Sequence, residues 1–363
     1  MFAGPTLIQR MRATALAFGT LVACAAHAAL PAPLYPGEDT LYEKAADEGM
    51  VASFDTGPEW ANWKALFAEF RKRYPKVEIT YNNDIGSAAT VVTLDKSRRR
   101  PQADTAYYFA ASALDATARD VVAPFKPLNF DKLPPVFRDP GARWFTVHSL
   151  NVAFLVNRKL VKDVPKRWSD LLKPEYKNAV VYLDPRSTGQ GQVDVFAAAY
   201  AMGGSVDDPK PGADFFGKLK TAGNVLRVEG TTPYAKFVKG EIPVLIGYEN
   251  DGLKAKYTDG MGDAAEVVIP QDGSVSAPYA MSLVKNAPNP SAAQLWLNFV
   301  MSDAGQALFA QGYVRPAVPG LTLAPEIAAK MPNAPQVHPL DVAKAAAKKA
   351  QVDQLWSQAT LGQ

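Results

Sequence analysis

The residues best arranged to do chemistry form the run Val180-Val181-Tyr182-Leu183-Asp184-Pro185-Arg186-Ser187-Thr188-Gly189-Gln190-Gly191-Gln192. An apolar, strand-like stretch ends in a turn rich in Ser, Thr and Gly, and the apolar spacing predicts a helix over 193–202. The first N–H groups of a helix have no carbonyl partner within it. Gathered at a strand-to-helix turn, they hold an anion by geometry and dipole, with no catalytic step. No lysine occupies the position an ATP-binding loop needs.

Other chemical constellations are absent from the sequence. The three histidines are His27, His148 and His338, and none belongs to an H-E-x-x-H metal helix. No G-x-S-x-G elbow is present to carry a nucleophile. Gly189-Gln190-Gly191 is followed by Asp194 where a dinucleotide fingerprint needs its third glycine. His148 is read first as a packed structural histidine, with a ligand contact as the alternative. An Asp/Glu pair for glycoside hydrolysis cannot be singled out from sequence. The residues therefore predict neither a catalytic centre, nor a metal site, nor a cofactor.

Residues 1–28 carry the pattern of a secretory signal: Arg10 and Arg12, an apolar stretch over 13–26, and Ala26-His27-Ala28 as a cleavage site. That stretch is too short and too Ala-rich for a membrane span. A competing reading takes Leu21-Val22-Ala23-Cys24 as a lipobox, with Cys24 lipidated as an anchor. Cys24 is the only cysteine, so cleavage after Ala28 would leave no disulfide or thiolate chemistry. The chain of 363 residues suggests about two domains, long enough to bury a core without disulfides. The formal charge is +3, of which Arg10 and Arg12 carry two. That is no electrostatic footprint for nucleic acid. The run Arg98-Arg99-Arg100 reads as a solvated helix terminus.

Elements that could position the loop come in strand–helix alternation. Apolar runs at 50–54, 77–81 and 103–109 read as strands, with helices at 60–70 and 88–99 between them. Thr56-Gly57-Pro58-Glu59 is a plausible capping box for the first of these helices. The alternation predicts an α/β fold with a parallel sheet, whose ligands sit beyond the carboxyl ends of its strands. The passage 144–157 breaks the rhythm, long and β-rich. A second β-rich passage covers 267–270 and 279–284. Two such crossings predict one lobe interrupted by another, in the manner of a hinged clamshell.

The sequence resembles the periplasmic solute-binding proteins of ABC importers, in the group that includes ferric-iron-, thiamine-, aminoethylphosphonate- and hexose-phosphate-binding proteins. The resemblance rests on Glu59-Trp60-Ala61-Asn62-Trp63-Lys64, Pro101-Gln102-Ala103-Asp104, Trp168-Ser169-Asp170-Leu171-Leu172, the 184–192 loop, Ile246-Gly247-Tyr248, Ser302-Asp303-Ala304-Gly305-Gln306 and Tyr313-Val314-Arg315-Pro316, in order along the chain. It implies a two-lobed periplasmic binding protein of type 2, with two crossing strands as hinge. The lobes divide as 29–145 for the first part of lobe 1, 146–268 for lobe 2, and 269–363 for the return to lobe 1 and the C-terminal helices. The implied partners are a small-molecule solute and an ABC permease of the inner membrane, with the binding protein monomeric and periplasmic.

Carried over by position, the ligand contacts of the first lobe fall on Asp55, Thr56, Gly86, Ser87 and Tyr108. Those of the second fall on Ser187, Thr188, Gly189, Gln190, Tyr248 and Glu249. Each has a structural alternative: Thr56 as a helix cap, one of Tyr107 and Tyr108 as core, the glycines as turn residues, and Arg315 as an inter-lobe ion pair. Ferric-iron members place adjacent tyrosines in the second lobe, where this chain has Gly247-Tyr248-Glu249-Asn250. The expected solute is a small organic anion such as a phosphonate or phosphate ester. Ferric iron, or a polyamine or thiamine stacked on Trp60 or Trp63, are the alternatives; an exported enzyme on the same fold is the distant one.

Overall fold

The computed structural model describes residues 1, 32–82, 86–228, 233–331 and 333–362. The leader expected at 1–28, with Cys24, lies outside the described residues apart from Met1.

The described chain opens with α1 (Glu38–Glu48) and then alternates: β1 (Met50–Phe54), α2 (Trp63–Arg73), β2 (Glu78–Asn82), α3 (Ser87–Lys96), β3 (Thr105–Phe109) and α4 (Ala110–Ala118). A short β4 (Val122–Ala123) leads to the long, wholly buried β5 (Phe145–Asn157). Next come β6 (Val180–Val181), α5 (Gly189–Ala201), α6 (Lys210–Thr221), α7 (Pro233–Val238), β7 (Val244–Tyr248), α8 (Glu249–Tyr257) and β8 (Ala265–Val268). The second long strand, β9 (Ser274–Val284), returns the chain to α9 (Pro290–Met301) and α10 (Asp303–Gln311). β10 (Arg315–Pro316), α11 (Pro325–Ala328), β11 (Val337–Pro339) and α12 (Val342–Leu361) complete it.

The strands form one sheet in the order β2-β1-β3-β9-β5-β7-β6. β1 pairs parallel with β2 and β3, as strand–helix alternation requires. The two long strands pair antiparallel from Phe145↔Met281 to Asn151↔Ser276, and each then parts to a different side. Val152–Val156 of β5 pairs with β7, whereas Thr105–Phe109 of β3 pairs with the far half of β9. The fold is therefore α/β and two-lobed, with β5 and β9 crossing between the lobes. Strands buried on both faces need the near-continuous apolar runs seen in the sequence.

In the first lobe, Trp63, Leu66, Phe67 and Phe70 of α2 are buried at helical spacing against Trp296 of α9. Phe70 and Trp296 meet edge to face at 5.1 Å between ring centroids. Truncating such a ring costs roughly 3–5 kcal/mol.

Local structure departs from the sequence reading at three places that matter for the cleft. Helix α2 starts at Trp63 after Asn62, a left-handed residue (φ 60°), so Thr56 caps nothing. Thr56 is buried instead, and its hydroxyl donates to the Ser53 carbonyl at 3.1 Å. Helix α5 starts at Gly189, four residues earlier than the apolar run suggests, because Thr188 Oγ1 accepts the Gly191 N–H at 3.0 Å. A Cβ at Gly191 would lie 2.4 Å from the Leu183 carbonyl oxygen, so only glycine lets the loop fold back this tightly. Helices α4 and α8, absent from the sequence reading, begin immediately after β3 and β7.

Candidate functional site

Four helices, α3, α4, α5 and α8, begin at the carboxyl ends of the strands where the two lobes face each other, and the residues at their starts interlock. Phe109 caps α4, and its backbone N–H donates to Ser87 Oγ at the start of α3 (2.9 Å). The Phe109 ring in turn lies against Gly189, the first residue of α5, where a Cβ would sit 3.1 Å from its Cδ1. Tyr248 caps α8, and its hydroxyl is 3.4 Å from that of Tyr279 on β9. Tyr279 packs against Phe109 at 5.8 Å.

Among the first-lobe candidates, Asp55 and Gly86 are held together by backbone geometry. Asp55 adopts a left-handed conformation (φ 63°) that aims its amide at Asn82 Oδ1 (2.9 Å). Its own Oδ1 accepts the Gly86 N–H at 3.2 Å. Gly86 has φ 74° and ψ 159°, a region that side chains other than glycine's forbid. Asp55, Gly86 and Ser87 thus converge on one turn.

Tyr108 does not join them. Strand alternation sends it into a separate apolar cluster with Val91, Leu94 and Trp144, where its hydroxyl donates to Ser282. Its neighbour Tyr107 faces the other way, and its hydroxyl meets His148 Nε2 at 2.8 Å. The Tyr279 ring stacks at 21° on both Tyr107 (5.6 Å) and His148 (5.4 Å), which are themselves tilted by 40° to each other. Half-buried Trp60 covers Tyr279 edge-on at 4.8 Å. Trp63 is core.

In the second lobe, Asp184 organises the loop. Its carbonyl accepts the Thr188 hydroxyl (2.9 Å) and amide (3.1 Å), and the Ser187 amide (3.3 Å). The amides of Gly189 and Gln190 lie in the first helical turn, which has no carbonyl to offer them. The Gln190 side-chain amide reaches back to the Ile246 carbonyl at 3.5 Å. Glu249 is nearly fully buried and committed elsewhere. Arg315 grips it through two bonds of 2.8 Å, and Asn151 Nδ2 adds a third at 3.0 Å. Glu249 therefore serves as one half of an ion pair across the hinge, the role the sequence left open for Arg315.

Burial sets the protonation of this region. It pushes the phenols of Tyr107, Tyr248 and Tyr279 upward, so they are neutral hydrogen-bonding groups. It holds His148 neutral, lowering its pKa to about 3. Asp194, one turn beyond Gln190 on the same face of α5, is wholly buried with neither carboxyl oxygen bonded, and desolvation raises its pKa well above the usual carboxylate range.

Sequence reasoning marked the strand end Tyr107-Tyr108-Phe109 but chose Tyr108 from it, and it missed Tyr279 and Asp194 as members of this site. A signal existed for one of them: an acidic residue inside Val193-Asp194-Val195-Phe196-Ala197 marks a buried polar group. Tyr279 carried none, because only strand register sets it opposite His148. Two surface depressions, one by Arg98, Asp120 and Lys285 and another by Asp214, Lys218 and Thr221, lie away from these helix starts. Among the described residues no His, Cys, Asp and Glu side chains group as a metal site, and no helix is long and apolar enough to cross a membrane.

An interrupted α/β fold whose lobes meet across helix starts defines a class of solute-binding protein. Residues 101–348 match the family described as bacterial extracellular solute-binding protein, and the chain belongs to that family. It is 26% identical over 232 residues to a putative 2-aminoethylphosphonate-binding periplasmic protein of Salmonella typhimurium, covering 61% of this chain and 64% of that one. It is 30% identical over 228 residues to a thiosulfate-binding protein of Pseudomonas aeruginosa, covering 58% and 65%. The matches thus span just under two thirds of these relatives' own lengths. In fold it is similar to the periplasmic binding protein AfuA of Actinobacillus pleuropneumoniae, solved with fructose-6-phosphate, with a TM-score of 0.72 and 21% identity over 86% of this chain and 99% of that one. A ferric binding protein from Campylobacter jejuni is also similar, at a TM-score of 0.67 and 16% identity over 85% and 99%.

Proposed function

We propose that this protein is the periplasmic solute-binding component of an ABC importer. It captures a small organic anion, a phosphonate or phosphate ester, between its lobes and delivers it as a monomer to an inner-membrane permease. The lobes are proposed to divide near residues 145 and 268. The first turn of α8 holds Glu249 and Asp251, so the observation that carries the ligand class is the convergence of the other three helix N-termini, those of α3, α4 and α5, on one cleft. Each brings roughly half a positive charge and unpartnered amides. Ser187, Thr188, Gly189 and Gln190 supply one side of the anion seat, and Asp55, Gly86 and Ser87 frame the other. The names of the Salmonella and Pseudomonas relatives, both binders of small anionic or zwitterionic solutes, agree with this reading.

A cationic solute is the second reading, favoured by Asp55, which acts electrostatically on the Tyr279 ring that Trp60 covers, and by the identity of 27% over 168 residues to a spermidine/putrescine-binding periplasmic protein of Salmonella typhimurium. Thermal shift with 2-aminoethylphosphonate, fructose 6-phosphate, thiosulfate, spermidine, thiamine and ferric citrate separates the two. At 100 times its dissociation constant, a true ligand adds about 2.7 kcal/mol. An anion that stabilises wild type but not Ser187→Ala/Thr188→Ala supports the proposal. Stabilisation by spermidine or thiamine alone, or a coloured ferric complex, overturns it.

A further inference from the structure

The C-terminal helix α12 touches both lobes. At its start Val342 is buried in the first-lobe cluster that contains Tyr108 and Val91. At its end it lies along the second lobe, where Gly217 abuts the Ala359 carbonyl and Lys220 Nζ donates to that of Thr360. Between these ends Trp356, only 6% exposed, sits beneath the Arg186 guanidinium at 5.0 Å and beside Tyr182. Arg186 is fastened in turn to Asp184, with Nη2 at 2.6 Å and its own amide at 2.8 Å from the carboxylate. Asp184 is the residue whose carbonyl holds Thr188 and Ser187. Asp353, one turn before Trp356, lies close enough to act electrostatically on Arg186.

We propose that Trp356 is a positioning residue: through Arg186 and Asp184 it fixes the conformation of the 184–190 loop, and α12 thereby ties that loop to the first lobe. This rests on the reading of the loop as the anion seat only for its effect on binding; the effect on the loop itself is independent. An indole face in contact with a guanidinium gains both dispersion and charge–quadrupole attraction. The loop has few other fixed contacts outside its own turn, so its opening free energy should respond locally.

The test is hydrogen exchange on the full chain without ligand. In Trp356→Ala, the hydrogen-bonded amides of Arg186, Ser187, Thr188 and Gly191 should exchange about tenfold faster than in wild type while those of β1 and β3 stay unchanged. Trp356→Phe should restore protection, and Arg186→Gln, on an exposed side chain that carries little of the fold, should reproduce the loosening. Unchanged loop exchange in both variants overturns the proposal, as does acceleration spread evenly over all strands. With 2-aminoethylphosphonate and fructose 6-phosphate as probes, weakening by Ser187→Ala/Thr188→Ala but not by Trp356→Ala removes the role in binding and leaves the anion seat standing. If neither variant alters affinity, the anion seat fails, and the exchange data still decide the role of Trp356.

Discussion

The Arg315–Glu249 pair makes the sharpest prediction, because it decides whether Glu249 serves the hinge or the solute. Glu249 is 5% exposed and Arg315 22% exposed at the side chain. Two bonds of 2.8 Å match the fork of a guanidinium to a carboxylate. The partners come from opposite sides of the crossing: Arg315 on β10, which pairs with Ser149 of β5, and Glu249 at the start of α8. Replacing Arg315 with Ala leaves a buried carboxylate with one remaining donor, Asn151. Breaking a buried pair in this way costs about 3–5 kcal/mol, and the partial exposure of Arg315 places the expected loss near 3 kcal/mol. Glu249→Gln leaves a cation that water can still reach, so its loss should be smaller, about 2 kcal/mol. Arg315→Met/Glu249→Gln should recover much of this, for a coupling energy of at least about 1.5 kcal/mol. Urea denaturation of the double-mutant cycle measures it. Additive losses below about 0.5 kcal/mol each, together with lost solute affinity in Glu249→Gln, would refute the reasoning and return Glu249 to the ligand.

Two further outcomes follow from the same geometry. Gly189→Val places branched carbons where a Cβ is already 3.1 Å from the Phe109 ring, so it should hold the starts of α4 and α5 apart and weaken solute affinity at least tenfold in a calorimetric titration; unchanged affinity would show that the two helix starts need not meet. His148 is neutral in the fold with a pKa near 3, whereas an unfolded histidine titrates at about 6.5, so its contribution is present above 6.5 and lost as pH falls. Between pH 7 and 5 wild type should lose about 2 kcal/mol more than His148→Gln in denaturant titrations, against the opposing trend from Asp194; equal losses would show that His148 is not shielded from protonation.

The amino-acid order alone determined the alternation of strand and helix, the two long β-rich crossings and the turn at 184–190. These are local and periodic signals, carried by apolar spacing and by the residues that turns and caps demand. The same signals placed Asp55, Gly86, Ser87, Ser187 and Thr188 at strand ends. Three things required the tertiary structure. Strand alternation shows that one of Tyr107 and Tyr108 faces inward, but only pairing with β9 decides that it is Tyr107. Helices α4 and α8 carry no side-chain cap, since Phe109 and Tyr248 precede them, and at nine residues each they are too short to hold without the packing that tertiary structure supplies. Glu249 and Arg315 are 66 residues apart, and Trp356 is 170 from Arg186, distances at which sequence fixes no contact. Contacts at such separation depend on how the lobes close, and that follows from the packing of the whole chain.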